Sequence, residues 1–189
     1  MASEDAAAAE GSARAETKAF SNGAAAIEEK IAEGDYQAAL ALCAEAYAIP
    51  LSRYAMAFTG SQSESEGLVE EVLIAAAGSF PQYRAGKDVK AWLFGIARRI
   101  CGRHVELRAR KTGHGEALSN SSLSQASQAA RARDALAKLK PSEREAVVLR
   151  YEVGLSVREL AIACGVDEAS VRKRVSKGLV RLRAELGEE

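Results

Sequence analysis

Apolar residues recur at helical spacing along most of the chain, and three long helices are predicted in its first half. One runs from about Asp35 to Thr59, interrupted or kinked near Pro50. A second runs from about Glu64 to Gly78, with Leu68, Val72 and Ala75 on one stripe, and a third from about Asp88 to Arg110. Together they make a bundle of three or four helices. In the third, Trp92, Leu93, Ile96 and Ile100 share an apolar face while Arg98, Arg99, Arg103, Arg108 and Arg110 stand on others, so one side can pack while the other meets an anion.

The second half carries shorter helices with clear punctuation. Ser142 with Glu145, just after Pro141, and Ser156 with Glu159 both have the spacing of a capping box, and Asp167 can cap the last long helix, Glu168 to Arg183. Gly154 and Gly165 mark the stops between them. Ala161 is small where two helices would cross, Gly165 is free to turn left-handed, and Val171 falls where the second helix faces the first. Leu160, Val166 and Val175 fill the remaining core positions. These offsets describe a helix-turn-helix whose second helix lies in a major groove, offering Ser170, Arg172, Lys173, Arg174, Ser176 and Lys177 to bases and phosphates. The bland alternative is a purely structural helical hairpin.

Composition agrees with an all-α class: aromatics are 5%, there are 3 prolines, and Ala, Leu, Glu and Arg dominate. At 189 residues the chain suits two small domains. The expected division is an acidic, disordered extension at 1–33, a helical domain at 34–111, a flexible linker at 112–130 rich in Ser, Gly and Gln, and the helix-turn-helix domain at 131–189. The three cysteines, Cys43, Cys101 and Cys164, are far apart and fit a reducing, cytoplasmic setting better than a disulfide framework. The acidic, alanine-rich start lacks the basic and apolar regions of a signal peptide and no apolar run approaches the roughly 20 residues that span a bilayer, so a soluble protein is expected.

A net charge of zero hides a segregation. Residues 1–48 carry −6, residues 49–111 carry +4, and the last 78 residues carry only +2, yet Arg172, Lys173, Arg174, Lys177, Arg181 and Arg183 fall in one stretch without an acid. Local charge is what a polyanion meets. Cys101 and His104 have a spacing that can hold zinc, but no second ligand pair exists, so no metal and no cofactor is expected. No glycine-rich phosphate loop, nucleophile constellation or carboxylate pair marks an enzyme.

At this point a family resemblance is plain. Leu139, Pro141, Arg144, Arg150, Tyr151, Gly154, Leu155 and Ser156 make the second half similar to region 4 of the extracytoplasmic-function (ECF) sigma factors. The stretch SESEGLVEEVLIAAAGSFPQYRAGKDVKAWLFGIARR resembles their region 2, keeping Glu66, Leu68, Val69, Glu71, Val72, Tyr83, Arg84, Gly86, Ala91, Trp92, Leu93, Ile96, Ala97 and Arg98. It departs at Gly67, where an acid is usual, at Leu73, Ala77 and Val89, where aromatics are, and at Arg99 and Arg103, where Asn and Asp are frequent.

The resemblance implies a transcription initiation factor that binds core RNA polymerase, directs it to promoter DNA and assists melting. Glu66, Glu70 and Glu71 would face the polymerase. Tyr83, Arg84, Lys87, Lys90, Trp92, Arg98, Arg99 and Arg103 would meet the minus 10 element, capturing unstacked bases, and the helix-turn-helix would bind the minus 35 duplex. An anti-sigma factor is an implied further partner. The residues alone also admit a helix-turn-helix regulator that binds DNA without acting as a sigma factor, a reading that leaves the AWLFGIARR stretch unexplained.

Overall fold

The computed structural model describes residues 23–84, 86, 88–112 and 128–187, which form helices joined by short turns and contain no strand. Helices α1 (residues 23–33), α2 (Tyr36–Thr59), α3 (Gln62–Ser79) and α4 (Val89–Thr112) form the first half. Helices α5 (Gln128–Lys138), α6 (Pro141–Tyr151), α7 (Val157–Cys164) and α8 (Glu168–Leu186) form the second. Residues 1–22, 113–127 and 188–189, with Ala85 and Lys87, lie outside the described residues.

Local signals set most helix ends. Asp35 Oδ1 accepts from the Ala38 amide at 3.1 Å to open α2, and Gly60 closes it in the left-handed region at φ 66°. Ser61 opens α3, and Asp88 Oδ1 accepts from the Ala91 amide at 2.8 Å at the start of α4. The box of Ser156 and Glu159 is complete, each side chain bonding the other residue's backbone.

Three sequence expectations need correction. The disordered extension does not reach residue 33: residues 23–33 are α1, because Ile27 and Ile31, four apart, give it an apolar stripe that both residues bury. Helix α2 is not interrupted at Pro50: it continues from Tyr36 to Thr59 with the proline buried in the bundle, where packing of the helix on both sides offsets the one amide donor that is lost. Ser142 makes no cap, because α6 begins one residue earlier at Pro141, whose fixed φ suits a first helical position.

The two halves share one hydrophobic core. Leu51, Tyr54, Phe80, Leu93 and Phe94 from the first half and Leu149, Leu155, Leu160 and Val171 from the second belong to a single buried cluster. Helix α4 packs on α7, and a Cβ built on Gly95 would lie 3.4 Å from the Ala163 carbonyl oxygen. The α4 backbone at Gly95 therefore lies beside the α7 backbone, with space between them for about one methyl group. Tyr54 bridges towards both neighbours, 4.9 Å from Phe58 and edge-on to Phe94 at 6.1 Å between centroids.

Within the second half α8 crosses α6 closely at the buried Gly178, where an added Cβ would meet Val147 Cγ2 at 2.6 Å and the Glu143 carbonyl at 3.1 Å. Beside it Arg181 donates to the buried Glu143 carboxylate, pairing a charge that burial would otherwise make expensive. Gly178→Ala should therefore lower stability by about 1 kcal/mol, because overpacking that costs about 2 kcal/mol outweighs the roughly 1 kcal/mol that alanine gains over glycine in a helix. Urea titration followed by circular dichroism reads this, and an unchanged or higher midpoint would contradict the close crossing.

Candidate nucleic-acid interface

The helix-turn-helix is built as its spacing demands. Gly165 takes φ 64° between α7 and α8, the Val166 amide donates to the Ala161 carbonyl at 3.1 Å across the turn, and Val171 is 0% exposed beneath it. Asp167 caps α8, accepting from the Ser170 amide at 2.8 Å and from Ser170 Oγ at 2.7 Å. Those bonds hold the Asp167 carboxyl below the usual carboxylate range.

The helix divides its polar residues by what they touch. Arg172, Lys173, Ser176 and Lys177 are exposed on its outer surface, the first paired with Glu168 at 2.6 Å. Arg174 is half-buried, and the hydroxyl of Ser170 is occupied by its cap. Arg181 is held by Glu143. Arg183 is exposed as well, and Lys173, Ser176 and Lys177 are exposed polar groups set one to four residues apart on one helix, a spacing that suits a groove wall.

The residues expected at the minus 10 element do not lie on one free surface. Arg84, Arg99 and Arg103 are exposed. Lys90 is 8% exposed, its ammonium donates to the Gly154 carbonyl at 3.3 Å, and burial pulls its pKa down. Arg98 Nε lies 2.7 Å from Glu145 Oε1, an ion-pair contact whose geometry falls short of a directed hydrogen bond. Lys90 and Arg98 thus face the second half of the chain.

Where the halves meet, a cleft of about 540 Å³ is lined by Phe58, Arg98, Arg99, Arg103, Arg144 and Glu145. The Arg144 guanidinium sits over the Phe58 ring at 4.8 Å, and burial lowers its pKa. Trp92 packs between Phe80 at 5.9 Å and Tyr83 at 5.1 Å, so its indole is part of the first half's aromatic cluster. Tyr83 also donates its hydroxyl to Glu28 Oε1 at 2.7 Å.

The acids expected to face the polymerase are exposed on α3, and they split by flank. Glu66 and Glu70 stand beside a groove of about 800 Å³ between α2 and α3, floored by Leu40, Ala44, Val69 and Leu73 with Ile49 and Ile74 at its lips. Ile49 is 67% exposed and Ile74 64%. Glu71 lies off this groove, on the side towards Cys101 of α4. Sequence reasoning misses the apolar floor, whose signal is the bulky Ile49 and Ile74 left outside each helix's core stripe, and it misses Glu28.

Among the described residues no group of three or more His, Cys, Asp or Glu side chains is placed to hold a metal. His104 instead lies 3.2 Å from Glu64. Burial pushes the thiols of Cys43 and Cys164 up to about 11 and that of Cys101 to about 12, which keeps them protonated and unreactive.

Comparison with known proteins places both halves. The family described as "Sigma-70 region 2" matches residues 43–111 and that described as "Sigma-70, region 4" matches residues 129–182. The ECF RNA polymerase sigma factor EcfG of Rhodopseudomonas palustris is 30% identical over 144 residues, covering 72% of this chain and 80% of that protein. SigC of Mycobacterium tuberculosis is 28% identical over 140 residues, 69% of this chain and 74% of its own length. Among solved structures, the sigma factor RpoE of Bartonella quintana, in complex with the anti-sigma factor NepR, superimposes with a TM-score of 0.63 at 26% identity, covering 81% of this chain and 97% of that one. CnrH, in complex with the cytosolic domain of CnrY, has the same fold, with a TM-score of 0.71 at 22% identity over 87% of this chain and 97% of its own. A region 2 fold and a region 4 helix-turn-helix in one chain, joined by an overall likeness to EcfG, make this protein a member of the ECF sigma factor family, an alternative sigma factor for transcription initiation.

Proposed function

We propose that the chain engages core RNA polymerase through the groove between α2 and α3, and reads promoter DNA with the exposed face of α8 and with the loop and helix that follow α3. The observation that carries this reading is that one molecule presents two unlike surfaces: an apolar groove rimmed by acids, and a basic helix set in a helix-turn-helix. The groove suits a protein partner, because its floor gains by leaving water and its Glu66 and Glu70 select a basic rim opposite. The outer face of α8 suits DNA, because Lys173 and Lys177 are exposed cations that displace counterions from phosphates.

Both promoter elements cannot be held while the halves stay packed together. Elements named for positions 35 and 10 are about 25 base pairs apart, roughly 85 Å at about 3.4 Å per base pair, whereas a compact chain of this length is roughly 40 Å across. In the packed arrangement Lys90 is buried and Arg98 is engaged by Glu145. Promoter recognition in this reading therefore requires the second half, α6 and the turn after it as well as α7, to leave α4, which releases Lys90 from Gly154 and Arg98 from Glu145 for the nontemplate strand. An anti-sigma factor is a natural further partner, supported by the RpoE–NepR complex. The chain would act where the polymerase is, in the cytoplasm. No described helix is long and apolar enough to cross a membrane.

Two variants test the two surfaces separately. Changing Glu66 and Glu70 together to Lys should weaken binding to core polymerase at least tenfold with an unchanged circular dichroism melt, since both side chains are exposed; wild-type affinity by pull-down and fluorescence titration would refute the groove assignment. Changing Lys173 and Lys177 to Ala should weaken duplex binding and reduce the slope of log K against log salt by about 2, one for each phosphate that is no longer neutralised. A slope equal to that of the unaltered protein would place DNA elsewhere.

A further inference from the structure

Tyr83 is the first residue after the 3-10 turn Phe80–Gln82, and the chain beyond it leads through Arg84 and Gly86 to Asp88, which caps α4. The Tyr83 ring stands edge-on to Trp92, and its hydroxyl reaches 55 residues back in sequence to Glu28 on α1. Helix α1 is itself pinned by the buried Ile27 and Ile31. The loop is thus gripped at its entry from two sides, by α4 through the ring and by α1 through the hydroxyl. We propose that Glu28 is a positioning residue for minus 10 recognition: its carboxylate fixes Tyr83, and through Tyr83 the start of the loop that meets the separated strand.

The charge makes the case sharper. An acid beside a surface meant for a polyanion weakens binding by repulsion unless it does something else there. Here the half-buried Glu28 accepts a short bond from a phenol, a charge-assisted contact stronger than a neutral one. Burial and the Glu28 contact both raise the Tyr83 pKa, so the phenol keeps the proton it donates throughout the physiological range. Holding the loop in place before DNA arrives removes ordering from the binding step, which is the general advantage of a preformed site.

This inference rests on the reading of the loop as the minus 10 contact, and the experiment separates the two. Holoenzyme reconstituted from core polymerase and the full chain would first select templates from a library randomised at the minus 10 positions. On the preferred template, carrying 2-aminopurine in the nontemplate strand, fluorescence reports the rate of strand opening. Glu28→Ala and Tyr83→Phe should each slow opening about tenfold with core binding unchanged, the double variant should be no slower than either single, and Glu28→Gln, which keeps an acceptor oxygen, should recover most of the rate. Wild-type opening by both single variants, or single effects that multiply in the double variant, would overturn the role of Glu28. Should Glu28→Ala melt early, Tyr83→Phe carries the test, because it removes one oxygen from a ring that stays packed on Trp92. Normal opening by Arg84→Ala and Tyr83→Ala would instead overturn the loop reading itself.

Discussion

The close approach of α4 and α7 at Gly95 is the constraint on which the rest of the molecule depends. A Cβ at 95 would just reach ordinary contact with the Ala163 carbonyl oxygen at 3.4 Å, so the crossing has room for a methyl group and little more, and Phe94, Leu160 and Val171 join one buried cluster around it. A chain that could have folded as two marginal domains instead gains the burial of one larger core, and small domains gain most from such sharing. The packing of the two halves also buries Lys90 against the Gly154 carbonyl and ties Arg98 to Glu145. Stability of the packed form and access to the proposed minus 10 surface are therefore in direct competition, and core polymerase or DNA must supply the difference in free energy.

Arginine is used in two ways across the molecule. Arg181 on the buried Glu143, Arg98 on Glu145 and Arg144 over Phe58 hold helices together. Arg84, Arg99, Arg103 and Arg172 remain exposed, together with Lys173 and Lys177. The first group works because a planar, delocalised cation tolerates partial burial against a carboxylate or a ring. Acids likewise serve two tasks: Glu143 and Glu145 pair with structural arginines, and Glu66 and Glu70 rim the α2–α3 groove.

Much of the second half is legible in the sequence, because short-range rules decide it. Ser156 with Glu159, the turn at Gly165, the cap at Asp167 and the burial of Val171 all follow from spacings of at most a few residues. The first half is legible as helices but not as surfaces. Nothing in the spacing of Glu66, Glu70 and Glu71 says that the groove takes only the first two, since that depends on where α2 lies across α3. Helix α1 is hidden by averaging: Ile27 and Ile31 are two bulky residues in a stretch of alanines and acids. The partners of Arg98, Lys90 and Tyr83 lie 47, 64 and 55 residues away, and no local pattern announces a contact of that range.

The packed arrangement makes one demand that a single distance can test. The three native cysteines are buried with raised pKa values, so thiols introduced at the exposed Ser63 of α3 and Ala184 of α8 can be labelled selectively as a fluorescent pair. Energy transfer between them should be high in the free protein and should collapse when core polymerase and promoter DNA are added, as the two halves move apart to span roughly 85 Å of duplex at about 3.4 Å per base pair. Equal transfer in the free protein and in a complex that initiates transcription would contradict the claim that the shared core must open.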